Sequence, residues 1–125
     1  MSGIQEFIKD LKSREYKIGL ATNAPLRVAD AVLEKLQVRD FFDTVHSSEF
    51  EAQGKPHPAV YLTSAQQLGI SPENCIAIED SHSGLRAAKA AGMKTIVFTN
   101  NDESIDFEHA DFKILSFTSA QLPVF

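Results

Sequence analysis

Residues Cys75–Gly92 have the sequence CIAIEDSHSGLRAAKAAG, which predicts a strand followed by a helix. Its first four residues are apolar without interruption, which favours a short strand buried on both faces of a sheet. Glu79 and Asp80 follow directly, and the alanine-rich segment Leu85–Ala91 then predicts a helix that Gly92 ends as a C-terminal cap. A buried strand, a polar link and a helix in this order are typical of a sheet with parallel strands.

The same alternation of apolar strands and amphipathic helices continues on both sides of this stretch. The pattern predicts helices over 4–14, 25–38 and 60–68, and strands over 17–22, 41–46, 94–99 and 112–115. The segment 47–58 has no periodicity, so we expect an irregular connection with at most one helical turn, and 100–111 is polar and loop-like. The sequence therefore predicts a single domain over residues 1–125, an α/β fold with a mostly parallel sheet and helices on both faces.

The composition supports one folded domain and disfavours several kinds of partner. With 125 residues, 43% hydrophobic and 23% charged, the chain can bury a core without disulfides or a structural metal. The single Cys75 fits a reducing compartment, and a net charge of -5 disfavours nucleic acid and anionic membranes. The apolar runs are far shorter than the roughly 20 residues that span a bilayer, and the first residues lack the apolar core of a secretory signal. We therefore expect a cytoplasmic protein that binds neither nucleic acid nor membranes.

Ligands of parallel α/β sheets bind beyond the carboxyl ends of the strands, so the residues that end the predicted strands are the candidates for function. They are Thr22-Asn23, Glu79-Asp80 and Thr99-Asn100. The Thr22 hydroxyl and the backbone N–H groups after it can hold a phosphate at the start of a helix, or the hydroxyl can cap that helix. Lys55, between Gly54 and Pro56, can direct its ammonium group to an anion or lie in solvent.

The two adjacent carboxylates Glu79 and Asp80 at the end of an apolar strand indicate a cation site, because such charges are costly unless a partner meets them. Magnesium fits, since it binds one or two carboxylates together with water and phosphate oxygens. The alternative is that Asp80 or Ser83 caps the next helix. A zinc site is not indicated, because the four histidines lie on separate segments without the i, i+4 spacing of such sites.

Three segments, taken together and in order, resemble one enzyme family. They are Ile18–Asn23 (IGLATN), Gly54–Pro58 (GKPHP) and Ile76–Gly84 (IAIEDSHSG). They resemble motifs of the haloacid dehalogenase superfamily, in its branch of sugar-phosphate phosphatases and β-phosphoglucomutase-like enzymes. The helix and strand after the third segment resemble the same family, so the resemblance covers nearly the whole chain. It implies a Rossmann-like core of the haloacid dehalogenase type.

The resemblance implies a role for each matching position. Thr22 would supply a phosphate-binding hydroxyl, with the backbone at Asn23 assisting. Lys55 would bind phosphate and neutralise both it and the nucleophile, while Glu79 and Asp80 would help to hold Mg²⁺. Lys55 and Asp80 would thus be catalytic residues, and the cofactor would be magnesium. In physical terms this is a preorganised set of charges around a phosphoryl group that passes between two oxygens.

The sequence departs from the family pattern at its start. Members of this superfamily begin with a strand ending in D-x-D, whose first aspartate is the nucleophile and whose second is the general acid/base, and this sequence contains no D-x-D. The helical cap domain that normally follows this strand is expected to be absent too. We therefore expect the carboxyl-terminal core portion of a longer protein. In the family sheet the absent strand lies between those ending at Thr22 and Glu79, which should then have exposed edges or pair directly.

The function implied by the resemblance is that of a magnesium-dependent phosphohydrolase, or a phosphomutase, acting on a small phosphorylated metabolite, with a sugar phosphate the first expectation. The reaction would pass through an aspartyl-phosphate whose aspartate is not in this chain, so the chain alone should be inactive. The alternatives are a non-catalytic phosphate- or metal-binding module and a subunit completed by another chain. A response-regulator-like or nucleotide-binding domain fits the three segments less well. Exposed strand edges would favour self-association or pairing with the amino-terminal part.

Overall fold

The computed structural model describes residues 3–102 and 110–117. In chain order, the helices and strands of this part are α1 Ile4–Ser13, β1 Gly19–Thr22, α2 Leu26–Lys35, β2 Thr44–Ser47, α3 Ala59–Leu68, β3 Ile76–Glu79, α4 His82–Ala90, β4 Lys94–Phe98 and β5 Phe112–Ile114. Single turns of 3₁₀ helix lie at Arg39–Phe41, Ser48–Phe50 and Pro72–Asn74. The alternation predicted from the sequence is confirmed. None of the helices in the described residues is long and apolar enough to cross a membrane.

Three predicted boundaries differ from the observed ones by three residues, and the others by at most two. The strand predicted over 41–46 begins only at Thr44, because Arg39–Phe41 form a 3₁₀ turn. The helix predicted to end near 38 ends at Lys35, and Gln37 then has a left-handed φ of 60°, which stops the helix. The helix predicted from 85 begins at His82, because Ser81 caps it. Residues 103–109 of the predicted polar loop, His109 among them, lie outside the described residues.

The strands form two parallel ladders that lie in one layer. β1 pairs with β2, with Leu20 opposite Val45, and β3, β4 and β5 form a second ladder in that order. Within the described residues no ladder joins β1 to β3. The sequence left open whether these two strands would pair directly or keep separate edges, and the second outcome is the one observed.

Two helices cover each face of this layer. On one face, α1 and α2 pack through the buried residues Phe7, Ile8 and Leu33. On the other face, α3 and α4 share a core that includes Val60 and Ala88. The arrangement is the α/β fold with helices on both faces that the sequence predicts.

Side chains of β1 and β3 enter the same two cores. Leu20 of β1 and Ile78 of β3 pack against the core of α1 and α2, while Ala21 and Ala77 pack against the core of α3 and α4. Alternate residues of a strand point to opposite faces, so β1 and β3 each turn one face to each core. Their carboxyl ends lie at the same edge of the layer, since Lys55 Nζ donates to both Ala21 O and Glu79 Oε2.

The facing edges of β1 and β3 predict association of the isolated chain. An unpaired row of backbone N–H and C=O groups is a template for another strand, and buried polar groups of this kind must find partners. We expect concentration-dependent self-association in sedimentation velocity, and its suppression by an extended, mostly apolar peptide that adds a strand.

The matched control is the same peptide with two central residues replaced by proline, because proline cannot donate a hydrogen bond to a ladder. It should leave the association unchanged. A chain that stays monomeric at high concentration, with strongly protected amides along β1 and β3, would contradict the expectation.

Candidate active site

The five candidate residues named from the sequence lie at one edge of the layer. Thr22 ends β1 and Asn23 follows it, while Glu79 ends β3 and Asp80 follows it. Lys55 lies in the connection between β2 and α3. The connection brings the lysine to this edge because β2 runs parallel to β1 and ends beside it.

Lys55 joins the ends of β1 and β3, between which the described residues form no ladder. Its Nζ donates a hydrogen bond of 2.6 Å to Glu79 Oε2 and one of 3.0 Å to the backbone oxygen of Ala21. The side chains of Lys55 and Glu79 are only 11% and 8% exposed. The alternative of a solvent-exposed lysine is therefore wrong. A buried charge without a partner is destabilising. Removal of Lys55 or Glu79 would therefore leave the other with an uncompensated charge.

Tyr61 belongs to this cluster, although the sequence reasoning assigned it no function. Its hydroxyl donates to Glu79 Oε2, and its ring lies under the Lys55 ammonium, with 5.0 Å from Nζ to the ring centroid. Burial, followed by the charge of Glu79, raises the pKa of Tyr61 well above its ordinary value. The signal in the sequence was a tyrosine on the apolar face of a helix, since a buried tyrosine hydroxyl needs a polar partner.

Gly84 leaves the space that the Glu79 carboxylate fills. A Cβ at position 84 would overlap both oxygens of that carboxylate. Gly84 lies in the first turn of α4, and its backbone N–H donates to the capping Ser81 Oγ at 3.1 Å. The glycine of the third segment is thus explained by close packing against the carboxylate.

The turn after β1 is ordered by two side chains. Thr22 Oγ1 accepts a 3.0 Å hydrogen bond from Ala24 N, two residues on and before α2 begins. The alternative that Thr22 caps α2 is therefore wrong, and the first α2 amide, Leu26 N, donates instead to Glu49 Oε1 at 2.7 Å. The Thr22 hydroxyl accepts one bond and retains a hydrogen with which it can donate.

Asn23 connects this turn to the Lys55 loop, which is the connection 48–58 between β2 and α3. Its Oδ1 accepts hydrogen bonds from Lys55 N at 3.0 Å and from Ser48 Oγ at 2.9 Å. A Cβ at Gly54 would approach the same Oδ1 to 2.9 Å, so the glycine next to Lys55 allows this contact. The resemblance implied a role only for the Asn23 backbone, whereas its side chain holds the loop that carries the lysine.

Asp80 is exposed and does not cap α4. The N-cap is Ser81, whose Oγ accepts from Gly84 N, so the alternative that Asp80 or Ser83 caps this helix is wrong. Residues 3–102 and 110–117 contain no group of three or more His, Cys, Asp or Glu side chains that could hold a metal ion. Any cation here would need further ligands beyond Glu79 and Asp80.

The remaining strand end is not part of this cluster. Thr99 is buried, its backbone N–H donates to the oxygen of Ile114 at 3.1 Å, and Asn100 has a left-handed φ of 53°. The end of β4 therefore has a structural role, because it is hydrogen-bonded to β5. His57 likewise has a local role, since its Nδ1 accepts from Ala59 N at the start of α3.

Gly84→Ala should destabilise the protein, although alanine in a helix is ordinarily favoured over glycine by about 1 kcal/mol. The new methyl group would displace the Glu79 carboxylate and separate it from Lys55 and Tyr61. We expect the free energy of unfolding in urea to fall by about 2 kcal/mol or more. Arg86→Ala, on the exposed side of the same helix, should change it by no more than about 0.5 kcal/mol. A Gly84→Ala protein as stable as the parent would contradict the packing argument.

The fold and this cluster define an α/β domain whose candidate site lies at the carboxyl ends of parallel strands. Residues 1–92 match the model of the haloacid dehalogenase-like hydrolase family. The chain belongs to this family, and the resemblance given by its three segments is confirmed.

Several relatives of known name are similar over most of the chain. Hexitol phosphatase B of Escherichia coli (strain K12) is 39% identical over 120 residues, which cover 94% of this chain and 54% of that protein. Beta-phosphoglucomutase of Bacillus subtilis is 40% identical over 93 residues, which cover 74% of this chain and 40% of that protein. The chain thus spans about half the length of the curated relatives it matches.

Solved structures share the fold. CbbY from Rhodobacter sphaeroides in complex with xylulose-(1,5)-bisphosphate superposes with a TM-score of 0.83 at 32% identity, covering 93% of this chain and 53% of that one. Beta-phosphoglucomutase from Clostridium difficile gives a TM-score of 0.80 at 33% identity. The Rossmann-like fold of the haloacid dehalogenase type is therefore established.

Proposed function

We propose that this chain is the carboxyl-terminal part of a magnesium-dependent phosphohydrolase or phosphomutase, acting on a small phosphorylated metabolite such as a sugar phosphate. The observation that carries the proposal is the position of the Lys55 ammonium. It lies between the carboxyl ends of β1 and β3 and contacts both Ala21 O and Glu79. A fixed cation beside the turn at Thr22 is suited to a phosphoryl group.

Residues of β1 and the Lys55 loop would hold the phosphate. Thr22 can donate its hydroxyl hydrogen, and the backbone of the turn at Asn23 adds N–H groups beside it. Lys55 would neutralise the negative charge of the phosphate and of the attacking group. Because Asn23 Oδ1 fixes the Lys55 backbone, the lysine and the phosphate-binding turn would keep a constant separation during the reaction.

Asp80 and Glu79 would hold Mg²⁺, with Asp80 as the direct ligand. Asp80 fits this role, since it is exposed, directly follows β3 and has no capping function. Magnesium accepts one or two carboxylates with water and phosphate oxygens, so a site with few protein ligands in this chain suits it. When bound, the metal would neutralise charge on the phosphoryl oxygens. Glu79 is already engaged by Lys55 and Tyr61, which favours a contact with the metal through water.

The nucleophilic aspartate would come from a strand outside this chain that pairs with both β1 and β3. Such a strand would end at the level of Thr22 and Glu79, and so beside the Lys55 ammonium. Residues 1–125 would then form one partial core domain, completed by an amino-terminal part of the same protein or by another chain. The single cysteine favours a reducing compartment, and we propose the cytoplasm as its location.

The substrate class is supported by the relatives. One is named a hexitol phosphatase and another a beta-phosphoglucomutase, and a structural neighbour binds xylulose-(1,5)-bisphosphate. The phosphoryl group is common to these names, while the sugar differs. We therefore propose a phosphorylated sugar or sugar alcohol as the substrate.

A chimera tests the proposal. The amino-terminal part of Escherichia coli hexitol phosphatase B that this chain does not match would be fused to the start of this chain. We expect the chimera to release phosphate from hexitol or hexose phosphates in the presence of Mg²⁺ and to stop when the metal is chelated. Lys55→Met should lower kcat/KM by about 10²-fold or more, whereas Lys9→Met, on an exposed part of α1, should not change it. A folded chimera without phosphatase activity would contradict the proposal.

A further inference from the structure

Glu51 joins two elements next to the Lys55 loop. Its Oε1 accepts hydrogen bonds from His46 Nε2 of β2 at 2.8 Å and from Thr63 Oγ1 of α3 at 2.7 Å. His46 is 7% exposed, and the Phe50 ring stacks on it with 6.2 Å between centroids. These hydrogen bonds, that of Thr63 first, lower the pKa of the Glu51 carboxyl. None of these residues is among those proposed to hold the phosphate or the metal, and none lies in the three family segments.

The hydrogen bonds of Glu51 reduce the number of unanchored residues in the loop that carries Lys55. β2 ends at Ser47 and α3 begins at Ala59, so the whole connection is long. Because Glu51 is bound to both elements, only residues 52–58 remain between its anchor and the helix. A shorter loop has fewer alternative conformations and loses less entropy when it is ordered. Lys55 lies in the middle of this shorter loop.

Lys55 therefore has one anchor inside the site and one outside it. The inner anchor is the hydrogen bond from Lys55 N to Asn23 Oδ1. The outer anchor is Glu51, which fixes the start of the loop against β2 and α3. The ammonium must reach Ala21 O and Glu79 at the end of a flexible side chain, so its position depends on how well the backbone below it is held.

We propose that Glu51 is a positioning residue for Lys55, an inference that rests on the proposed function for its catalytic consequence. Glu51 acts through the loop and does not touch substrate. One oxygen of Glu51 is sufficient to hold β2 and α3, because His46 Nε2 and Thr63 Oγ1 both donate to Oε1. Glutamine retains one oxygen with two lone pairs at this place, so Glu51→Gln should preserve the positioning, whereas Glu51→Ala should remove it.

The test measures the reactivity of the Lys55 amine in the chain itself. Under limited acylation by an amine-reactive reagent, mass spectrometry gives the labelling rate of Lys55 relative to the exposed Lys9. Glu51→Ala removes both hydrogen bonds to Oε1 and should raise this ratio about fivefold, equivalent to the loss of two hydrogen bonds at the weak end of the ordinary range. Glu51→Gln should return it to within about twofold of the parent. Glu73→Ala, exposed in the turn before β3, is the control and should leave the ratio unchanged.

Two outcomes would overturn the inference. One is an unchanged ratio in folded Glu51→Ala, and the other is an equal rise in Glu51→Gln, which would assign the effect to charge. If Glu51→Ala does not fold, Thr63→Val removes one of the two donors and should raise the ratio by about twofold. An unchanged ratio in that variant would also overturn it.

A second measurement separates this inference from the proposed function. Inorganic phosphate should slow the labelling of Lys55 in the parent chain, because the ammonium would bind it. If phosphate has no effect while the Glu51 variants behave as expected, the phosphate site is contradicted and the positioning of Lys55 by Glu51 stands.

Discussion

The chain assayed alone should release no phosphate from sugar phosphates or from an aryl phosphate above the buffer rate, with or without magnesium. An aspartyl-phosphate cannot form without an aspartate in line with the phosphorus atom. The sequence contains no D-x-D, and the carboxylates at the ends of β1 and β3 are Glu79 and Asp80. Glu79 is engaged by Lys55 and Tyr61, while Asp80 lies in the position proposed for metal binding.

The control for this assay is the Asp80→Asn variant of the same chain, purified in parallel. Phosphate release that is equal in both preparations arises from a contaminating phosphatase and does not bear on the chain. Release by the parent that Asp80→Asn abolishes would show that the chain has its own nucleophile. That result would contradict the account of an incomplete site.

The identity of the site residues could be predicted because it depends on local sequence. An apolar strand followed by polar residues places Thr22 and Glu79 at strand ends, and parallel strands bring their ends to one edge. The contacts between these residues could not be predicted in this way. Lys55 meets Glu79 across 24 positions of sequence, and Tyr61 joins them only because α3 packs beside β1.

Choices between two local roles were the weakest part of the prediction. Thr22, Asp80 and Ser83 are all residue types that cap helices, and propensity alone does not distinguish which of several adjacent candidates does so. The structure assigns the α4 cap to Ser81, one residue after Asp80. Similarly, Phe41 and Phe42 have aromatic side chains that favour strands, but Phe41 lies in a 3₁₀ turn and β2 begins only at Thr44, so β2 was predicted too long.

Asp80→Asn should abolish the magnesium-dependent activity of the chimera while leaving its stability nearly unchanged. The substitution replaces a charged oxygen ligand by a neutral amide, and removal of such charge stabilisation at a reacting phosphate costs about 10²–10³-fold in kcat. Asp80 is exposed and Ser81 provides the cap, so the free energy of unfolding should change by about 0.5 kcal/mol or less.

Glu79→Gln should also lower the magnesium-dependent activity of the chimera, by a smaller factor of about 10–100-fold, because the contact of Glu79 with the metal would pass through water. It differs from Asp80→Asn in one further respect. Glu79 is the partner of the Lys55 ammonium, so its neutralisation should also lower the free energy of unfolding. The two variants thus separate a residue that serves the metal from one that serves both the metal and the fold.

The role of Asp80 in metal binding should be tested by the magnesium dependence of hexitol phosphate turnover in the chimera and its Asp80→Asn variant, each with a urea unfolding curve. We expect turnover that rises with Mg²⁺ in the chimera, a loss of about 10²-fold or more in the variant, and coincident unfolding curves. Full magnesium-dependent turnover in the variant, or a loss of turnover that only accompanies unfolding, would show that Asp80 does not hold the metal at the end of β3.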